Sequence, residues 1–205
     1  LWTTPSSATP NVALSTLTAG GLYGDATYYF RVGSLNWNGV PNFATSVSTF
    51  MPLVLSMSLS PTTYAFGSIP VATSTNGYTS LTIANEGNAD MNFSIRATTI
   101  TAGSLWQIWD SVATAPANDR LLVRAVFHDG RPAIADYGDE DLVTEVTALS
   151  QTVGQGGRYT FNGTQTGVAV PPGQGRQIWL RLDMPTTTTS GKSQELKFVI
   201  RVDQP

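Results

Sequence analysis

The side chain with the widest chemical range in this sequence is its single histidine, His128. It lies in a His-Asp-Gly sequence, directly after an apolar stretch and at the start of a predicted turn. A hydrolytic triad needs a nucleophile beside the imidazole, and the sequence contains no Gly-x-Ser-x-Gly elbow that would supply one. We therefore predict a structural role for His128 in the turn, with catalysis as the alternative.

Paired carboxylates are the second chemistry to consider. Glycoside hydrolysis needs two of them held roughly 5 to 10 Å apart across a cleft. The acidic residues available for such a pair are Asp110, Asp119, Asp136, Asp139, Glu140, Asp141 and Glu145. Their spacing fixes no two of them across a cleft, so the sequence predicts a protein that is not an enzyme.

The segment from Asp136 to Asp141 is rich in carboxylates and contains a glycine. Oxygen-rich loops of this kind can bind a hard cation such as Ca²⁺, although the spacing does not match the EF-hand loop. The alternative is the solvated start of a helix, where acidic residues are electrostatically favoured and where Leu142, Val143 and Val146 would form an apolar stripe. We favour the second interpretation and predict no metal and no cofactor.

Tryptophans offer a third kind of chemistry, because exposed indoles stack on sugar rings. The chain contains Trp2, Trp37, Trp106, Trp109 and Trp179. Trp37 lies at the tip of a predicted hairpin and is the best candidate for an exposed aromatic. Trp106 and Trp109 have opposite parity, so in an extended strand one would point into the core and the other outward. Core or interface packing is the usual role of aromatics; Trp37, Trp106 and Trp109 are therefore candidate ligand or interface residues.

The composition predicts an all-β extracellular or cell-surface protein. Only 12% of the 205 residues are charged, the chain has 19 Gly and 12 Pro, and the net charge is −3. Thr and Ser fill most polar positions, which favours strands over long helices. No Lys/Arg run supports nucleic-acid binding, no apolar run is long enough for membrane insertion, and the absence of Cys excludes disulfides and thiol chemistry.

The front of the chain carries a strand pattern around Tyr28. Tyr28, Phe30 and Val32 share one face by the period of two, and we expect them to point inward as a core. Leu22 followed by Tyr28 has the spacing of a tyrosine corner, in which a phenol at the start of a strand bonds back to the preceding turn. Residues 36–39 then predict a hairpin turn and 42–50 the returning strand. This pattern resembles the C-terminal part of a fibronectin type III domain.

That front domain is short. Residues 11–17 predict one more strand, but about 20 residues precede Leu22, whereas an immunoglobulin-like sandwich has seven strands and about 100 residues. Either the chain is a fragment of a longer protein or another copy completes the fold, with residues 1–18 as a candidate donated strand. We expect residues 1–50 to form this partial unit. Head-to-tail donation would build a filament.

A second unit is predicted over residues 53–205. Phe66, Leu81, Ile83 and Phe93 are its expected core residues, and Asn85 with Gly87 would hold a turn between two strands. The stretch 53–100 resembles the immunoglobulin-like repeats of bacterial surface proteins and the related Hydin-type domains. Strands are also predicted at 53–61, 105–109, 120–127, 157–161, 177–182 and 195–202, with an acidic inserted loop or short helix near 129–155. The alternation in residues 120–127 puts one set of apolar side chains on the same side: Leu121, Val123, Ala125 and Phe127.

The fold class predicted is therefore all-β, with two immunoglobulin-like β-sandwich units of which the first is short or incomplete. The function expected is that of a non-catalytic structural or adhesive protein at the cell surface, assembling with itself as an oligomer or filament by strand addition. The alternative is a carbohydrate-binding accessory module of a larger secreted protein, with surface glycans as its ligand.

Overall fold

The chain is an all-β protein, as its composition predicts. The computed structural model describes residues 18–99, 106–111, 118–151, 157–161 and 165–205. Two compact units are present, Leu1–Met51 and Pro52–Pro205. Within the described part of the chain, no helix has the length and apolar character needed to cross a membrane.

The front unit is built on one antiparallel β-hairpin. Its strands are β1 (Ala26–Phe30), β2 (Gly33–Leu35), β3 (Pro41–Phe43) and β4 (Val47–Met51). β1 pairs with β4, and β2 pairs with β3. In the turn, Gly39 has a φ of 73°, which glycine adopts without steric cost. The Oδ1 of Asn36 accepts the N–H groups of Asn38 and Val40 at 3.0 and 2.9 Å. The predicted turn and returning strand are thus confirmed.

The second unit contains two sheets. Its strands are β5 (Met57–Ser60), β6 (Ser74–Asn76), β7 (Leu81–Asn85), β8 (Asn92–Thr99), β9 (Gln107–Ile108), β10 (Arg120–Phe127), β11 (Ala148–Leu149), β12 (Gly175–Asp183) and β13 (Leu196–Asp203). The larger sheet has the order β5-β7-β12-β10-β9, with β6 also paired to β12, and the smaller sheet has the order β11-β8-β13. All of these pairings are antiparallel except β9 with β10.

The two sheets pack face to face around one hydrophobic core. The rings of Phe93 in β8 and Phe127 in β10 lie 6.2 Å apart and join the two layers. The predicted inward side of β10 is confirmed, because its alternate residues all belong to this core: Leu121, Val123, Ala125 and Phe127. The expected core residues Leu81, Ile83 and Phe93 are buried as predicted, and Phe66 packs against them while partly exposed.

The outer face of the larger sheet is covered in part by the segment after β10. Val126 and Trp179 lie opposite each other on β10 and β12, and both are buried with Tyr137 and packed by Phe161. In the described part of residues 129–155, the only helical turn is a 3₁₀ turn at Ile134–Asp136. Its described part is therefore a loop that folds onto the sheet and contains the short strand β11. The favoured interpretation of the acidic run as the start of a helix, with Leu142, Val143 and Val146 as its apolar stripe, is wrong.

Two other expectations are corrected. Residues 157–161 do not form a strand; Tyr159 has a φ of 58°, and Thr160 makes only an isolated bridge to Phe127. Phe30 and Val32, expected in the front core, are 38% and 68% exposed. In the described residues the front unit is a hairpin without a second sheet over it, so its strand pattern has no layer to pack against.

Candidate interaction surface

The start of β1 is held by the hydroxyl group of Tyr28. This oxygen accepts the backbone N–H of Tyr23 at 2.8 Å and lies 3.2 Å from the carbonyl oxygen of Tyr23, to which it donates. The prediction that the Tyr28 phenol bonds back to the preceding turn is confirmed. The ring of Tyr28 also stacks on that of Phe30, with 6.5 Å between the centroids. Tyr28 therefore fixes the direction in which the apolar face of β1 points.

That apolar face is open. Phe30 lies directly opposite Val47 in the register of β1 and β4, and these two side chains are 38% and 69% exposed. The other face of the hairpin carries Tyr29 and Phe50, which are also exposed. Single exposed apolar side chains are ordinary on a protein surface. Exposed residues on both faces of one hairpin instead mark an interaction surface, which no other described residues cover.

The edges of this hairpin are open as well. Within the described residues, β1 hydrogen-bonds only with β4, and each strand keeps its second edge unpaired. Unpaired edge groups are a template for adding another strand, and an isolated two-stranded hairpin is at best marginally stable in water. We define the open hairpin surface as the exposed apolar residues Tyr29, Phe30, Val32, Leu35, Val40, Phe43, Val47 and Phe50.

Of the tryptophans selected from the sequence, Trp37 is the most accessible. Its side chain at the hairpin tip is fully exposed, at 102% of the reference area. Among the described residues, none makes a hydrogen bond or ring contact with its indole. The structure thus leaves Trp37 available to a ligand or to another protein surface.

Trp106 and Trp109 have different surroundings. Trp106 packs against the core of the second unit, and its Nε1 donates to Oγ1 of Thr188 at 2.8 Å. The ring of Trp109 is covered by the guanidinium group of Arg120, 4.1 Å from the ring centroid, and its Nε1 is buried without an acceptor. These two indoles therefore do not form one flat platform for a sugar.

The other two tryptophans add no exposed face to this surface. Trp179 is buried and its Nε1 donates to the carbonyl oxygen of His128 at 3.0 Å. Trp2 lies outside the described residues.

His128 is tied into its own turn. Its Nδ1 lies 3.0 Å from the backbone nitrogen and 2.7 Å from the carbonyl oxygen of Gly130. The imidazole ring lies 4.9 Å from the ring of Phe161, and Nδ1 lies 3.4 Å from a carboxylate oxygen of Asp129. In the described part of the chain, no serine or threonine hydroxyl group is hydrogen-bonded to this ring. The geometry is that of a turn residue, which is the role that we favoured.

The acidic segment places one of its carboxylates inside the protein. Asp141 is 1% exposed, and its two carboxylate oxygens accept the backbone N–H groups of Tyr159 and Gly138 at 2.7 and 2.9 Å. Burial raises the pKa of Asp141 to about 7, against the lowering effect of these two hydrogen bonds and of Arg124. Asp141 thus fixes the loop 138–141 to residue 159 and is directed at backbone, not at a shared cation position.

The remaining acidic residues are dispersed. Asp136 caps its own 3₁₀ turn by accepting the N–H of Ala133 at 2.7 Å, and Asp119 binds Thr189 through its backbone N–H and its hydroxyl group at 2.9 and 2.5 Å. These bonds lower the pKa of Asp119 below its usual range. Among the residues that the structure describes, no three His, Cys, Asp or Glu side chains converge on a position for a metal ion.

An open groove of about 460 Å³ lies between the acidic loop and β11. Its lining includes Asp139, Glu140, Arg158, Leu142 and Ala148. Asp139 is already engaged by Arg124 at 3.3 Å. The described lining residues do not place a nucleophile beside a histidine base, so the groove adds no catalytic arrangement to those already considered.

Comparison of the chain with protein-family models gives no match, and comparison with curated proteins gives none either. The resemblances to fibronectin type III domains and to immunoglobulin-like surface repeats accordingly stay predictions.

Sequence reasoning missed most of the open hairpin surface. Phe43, Val47 and Phe50 lie in a Thr/Ser-rich stretch that was assigned only as a returning strand. The turn at 36–39 does not by itself predict this surface. The register in which Gly33 lies opposite Phe43 would continue to Phe30 opposite Ser46, whereas the observed partner of Phe30 is Val47. A one-residue offset between the two strand pairs therefore decides which side chains share a face.

Proposed function

We propose that this chain is a non-catalytic structural protein of the cell surface or extracellular space, and that its front unit is completed by a strand from another copy. The observation that carries the proposal is the open face at Phe30 and Val47, beside the unpaired edges of β1 and β4. A strand added at such an edge gains main-chain hydrogen bonds, while alternate side chains fill the apolar face and set the register.

The proposed donor is residues 11–17 of the expected donated segment 1–18, and these residues lie outside the part of the chain that the structure describes. Val12 and Leu14 alternate with Ala13 and Ser15, so a strand formed by this segment has one larger apolar face, as the open hairpin surface requires. The segment contains no charged residue, which lowers the cost of burying it between chains. Donation from each chain to the next is a heterologous contact, and such contacts build filaments when the rotation does not close.

The test compares substitutions on the two faces of a strand, both in the donor segment and in the receiving hairpin. Val12→Asp and Leu14→Asp place a charge on the donated apolar face, whereas Ala13→Asp and Ser15→Asp place it on the other face. On the receiving hairpin, Val47→Asp is matched by Ser48→Asp, which lies one position along the same strand. Assembly is measured by size-exclusion chromatography with light scattering and by negative-stain imaging.

We expect filaments or large oligomers for the native chain and for Ala13→Asp, Ser15→Asp and Ser48→Asp. The other three variants should lose assembly, because each buries an unpaired carboxylate in the contact. A native chain that stays at its monomer mass of 21.8 kDa at all concentrations would overturn the proposal and favour a fragment of a longer surface protein. Equal effects of the substitutions on the two faces would also contradict the proposal.

A carbohydrate-binding module is the second candidate, and the full exposure of Trp37 favours it. An unobstructed indole is the side chain on which a sugar ring stacks best. Glycan-array binding that is lost in Trp37→Ala and kept in Trp37→Phe would support this function. Absence of glycan binding by the native chain would remove it.

A further inference from the structure

The smaller sheet of the second unit ends in a long strand that has no neighbour on its outer side among the described residues. β13 pairs with β8 over its whole length from Leu196 to Asp203, with no bulge. In the sheet order β11-β8-β13 it is the last strand, and no described strand pairs with its outward backbone groups. Natural edges are kept short, interrupted by a bulge or proline, or protected by charged side chains. β13 has eight residues without a bulge or proline, so only its charged side chains protect the edge.

The core-facing side chains of β13 are incompletely covered. Those of the central strand β8 are fully buried, with Phe93, Ile95 and Ala97 at 0% exposure. The core-facing residues of β13 are only partly buried, although they pack on the same core: Leu196, Phe198, Ile200 and Val202. A further strand beside β13 would complete this cover.

The face of β13 that points away from the core carries charged side chains, and their order favours pairing with a second copy of β13. Lys197 lies near the start of the strand and Asp203 at its end, on the same face. When two copies of β13 pair antiparallel about a two-fold axis at Ile200, Lys197 of each chain lies opposite Asp203 of the other. Both unlike pairs form at once, since the contact is isologous.

Neighbouring registers are less favourable. Centring the axis on Val199 places Lys197 opposite Arg201, and centring it on Arg201 places two arginines opposite each other. Like charges directly opposite in a sheet are destabilising. Centring on Phe198 removes the like charges but shortens the paired region, because residues 201–203 then extend past the partner strand. The register about Ile200 combines a long overlap with unlike charges.

We infer that two copies of this chain associate through β13, forming a continuous sheet through both second units with Ile200 on the two-fold axis. The core-facing side chains then continue across the axis, with Phe198 opposite Val202. Asp203 remains 34% exposed beside Arg201 and Ser94, so it can accept the partner's lysine. This contact goes beyond strand donation by the front unit, since it uses another unit and another symmetry.

A zero-length carbodiimide cross-link reports this contact alone. Within one extended strand, residues 197 and 203 are about 20 Å apart, so a Lys197–Asp203 amide bond forms only between chains. Mixing chains of natural isotope content with ¹⁵N-labelled chains identifies such a bond by mass spectrometry. Lys192, exposed and outside the strand, is the internal control for random collisions. Front-unit assembly neither produces nor removes this cross-link.

A second experiment exchanges the charges at residues 197 and 203. Lys197→Glu alone opposes two carboxylates, and Asp203→Lys alone opposes two lysines, so each should weaken the β13 contact about tenfold. Mixing the two variants restores both unlike pairs in the mixed dimer. We expect Glu at 197 of one chain to cross-link with Lys at 203 of the other, at the native yield.

Each outcome either supports or overturns the β13 contact. A Lys197–Asp203 cross-link between chains, lost in each variant and regained in the mixture, supports the β13 contact. A native chain that gives no such cross-link at concentrations up to 1 mM, or one in which Lys192 reacts with Asp203 equally well, overturns it. Thermal unfolding of each variant checks that the charge change has not unfolded the second unit.

Discussion

The hydroxyl group of Tyr28 is hydrogen-bonded to both backbone polar groups of Tyr23, at 2.8 Å to the nitrogen and 3.2 Å to the oxygen. One side chain thereby fixes the chain direction at the entrance to β1. Because β1 bears the open face of the front unit, this local bond determines how that face is presented.

Tyr28→Phe removes these two bonds and keeps the ring. We expect the front hairpin to lose about 1 kcal/mol of stability, seen as faster amide hydrogen exchange in β1 and β4. Tyr29→Phe is the matched control, because the Tyr29 hydroxyl group makes no hydrogen bond to another described residue and its side chain is 64% exposed. Equal exchange rates in the two variants would contradict a stabilising role for the Tyr28 bond.

Asn85 holds the turn between β7 and β8 from inside the second unit. It is fully buried, its Nδ2 donates to the carbonyl oxygens of Ala89 and Val170 at 2.8 and 2.7 Å, and its Oδ1 accepts the N–H of Gly87 at 2.9 Å. Asn85→Ala leaves these groups with fewer partners, and we expect a loss of about 3 kcal/mol in the free energy of unfolding by urea. Glu86→Ala, in the same turn but exposed, should change it by less than about 0.5 kcal/mol.

Arg124 organises a buried charge network under the loop that follows β10. It pairs with the carboxylate of Asp183 and donates from Nε to the carbonyl oxygen of Gly138 at 3.1 Å. Arg124→Met should cost about 3 kcal/mol in urea denaturation, at the lower end for a broken buried pair, because Arg181 still binds Asp183 at 2.8 Å.

The control for the Arg124 network is its exposed partner. Asp139→Asn should have an effect below about 1 kcal/mol, since the side chain of Asp139 is 72% exposed and surface ion pairs contribute little. If Arg124→Met were as mild as Asp139→Asn, Arg181 alone would be sufficient to compensate Asp183.

The buried carboxyl group of Asp141 makes the stability of the second unit depend on pH. Its pKa is raised to about 7 by burial, so the folded state favours the protonated form. The stability that this group contributes is fully present below its ordinary pKa of about 4 and is lost as the pH rises toward 7. Asp141→Asn removes this titration while losing one hydrogen bond, because an amide nitrogen cannot accept an N–H.

Urea unfolding of the native chain and of Asp141→Asn between pH 4 and pH 7 measures this dependence. We expect the variant to be less stable at pH 4 and the difference to shrink by about 1 to 3 kcal/mol by pH 7. Subtracting the two curves cancels the pH dependence of groups that do not interact with Asp141. A difference that does not change with pH would mean that Asp141 titrates as an ordinary surface carboxyl group.

Local pattern was sufficient for much of the fold. The alternation of residues 120–127 gave both the strand and its core-facing side, and residues 177–182 and 195–202 lie within or largely within β12 and β13. The turns at 36–39 and at Asn85 with Gly87 followed from side chains that bond to backbone a few residues away. These features depend on neighbours in sequence, which is why one sequence determines them.

The burial of the front strand and the conformation of residues 157–161 depend on tertiary structure. Tyr28, Phe30 and Val32 have the sequence pattern of a core strand, but whether such a face is covered depends on strands distant in sequence or in another chain. Residues 157–161 have the composition of a strand, yet the chain is held in a turn there by the bond from Tyr159 to buried Asp141.

For the candidate surfaces, the sequence pattern predicted the alternation of apolar residues in the front unit, but the strand predicted at 195–202 ended before Asp203, which lies in β13. Only the three-dimensional arrangement decided that Trp106 packs on a core, that Trp37 is free, and that β13 lies at a sheet edge. The physical reason is that alternation is set by a repeat of two residues, whereas burial and edge position are set by which strands lie side by side.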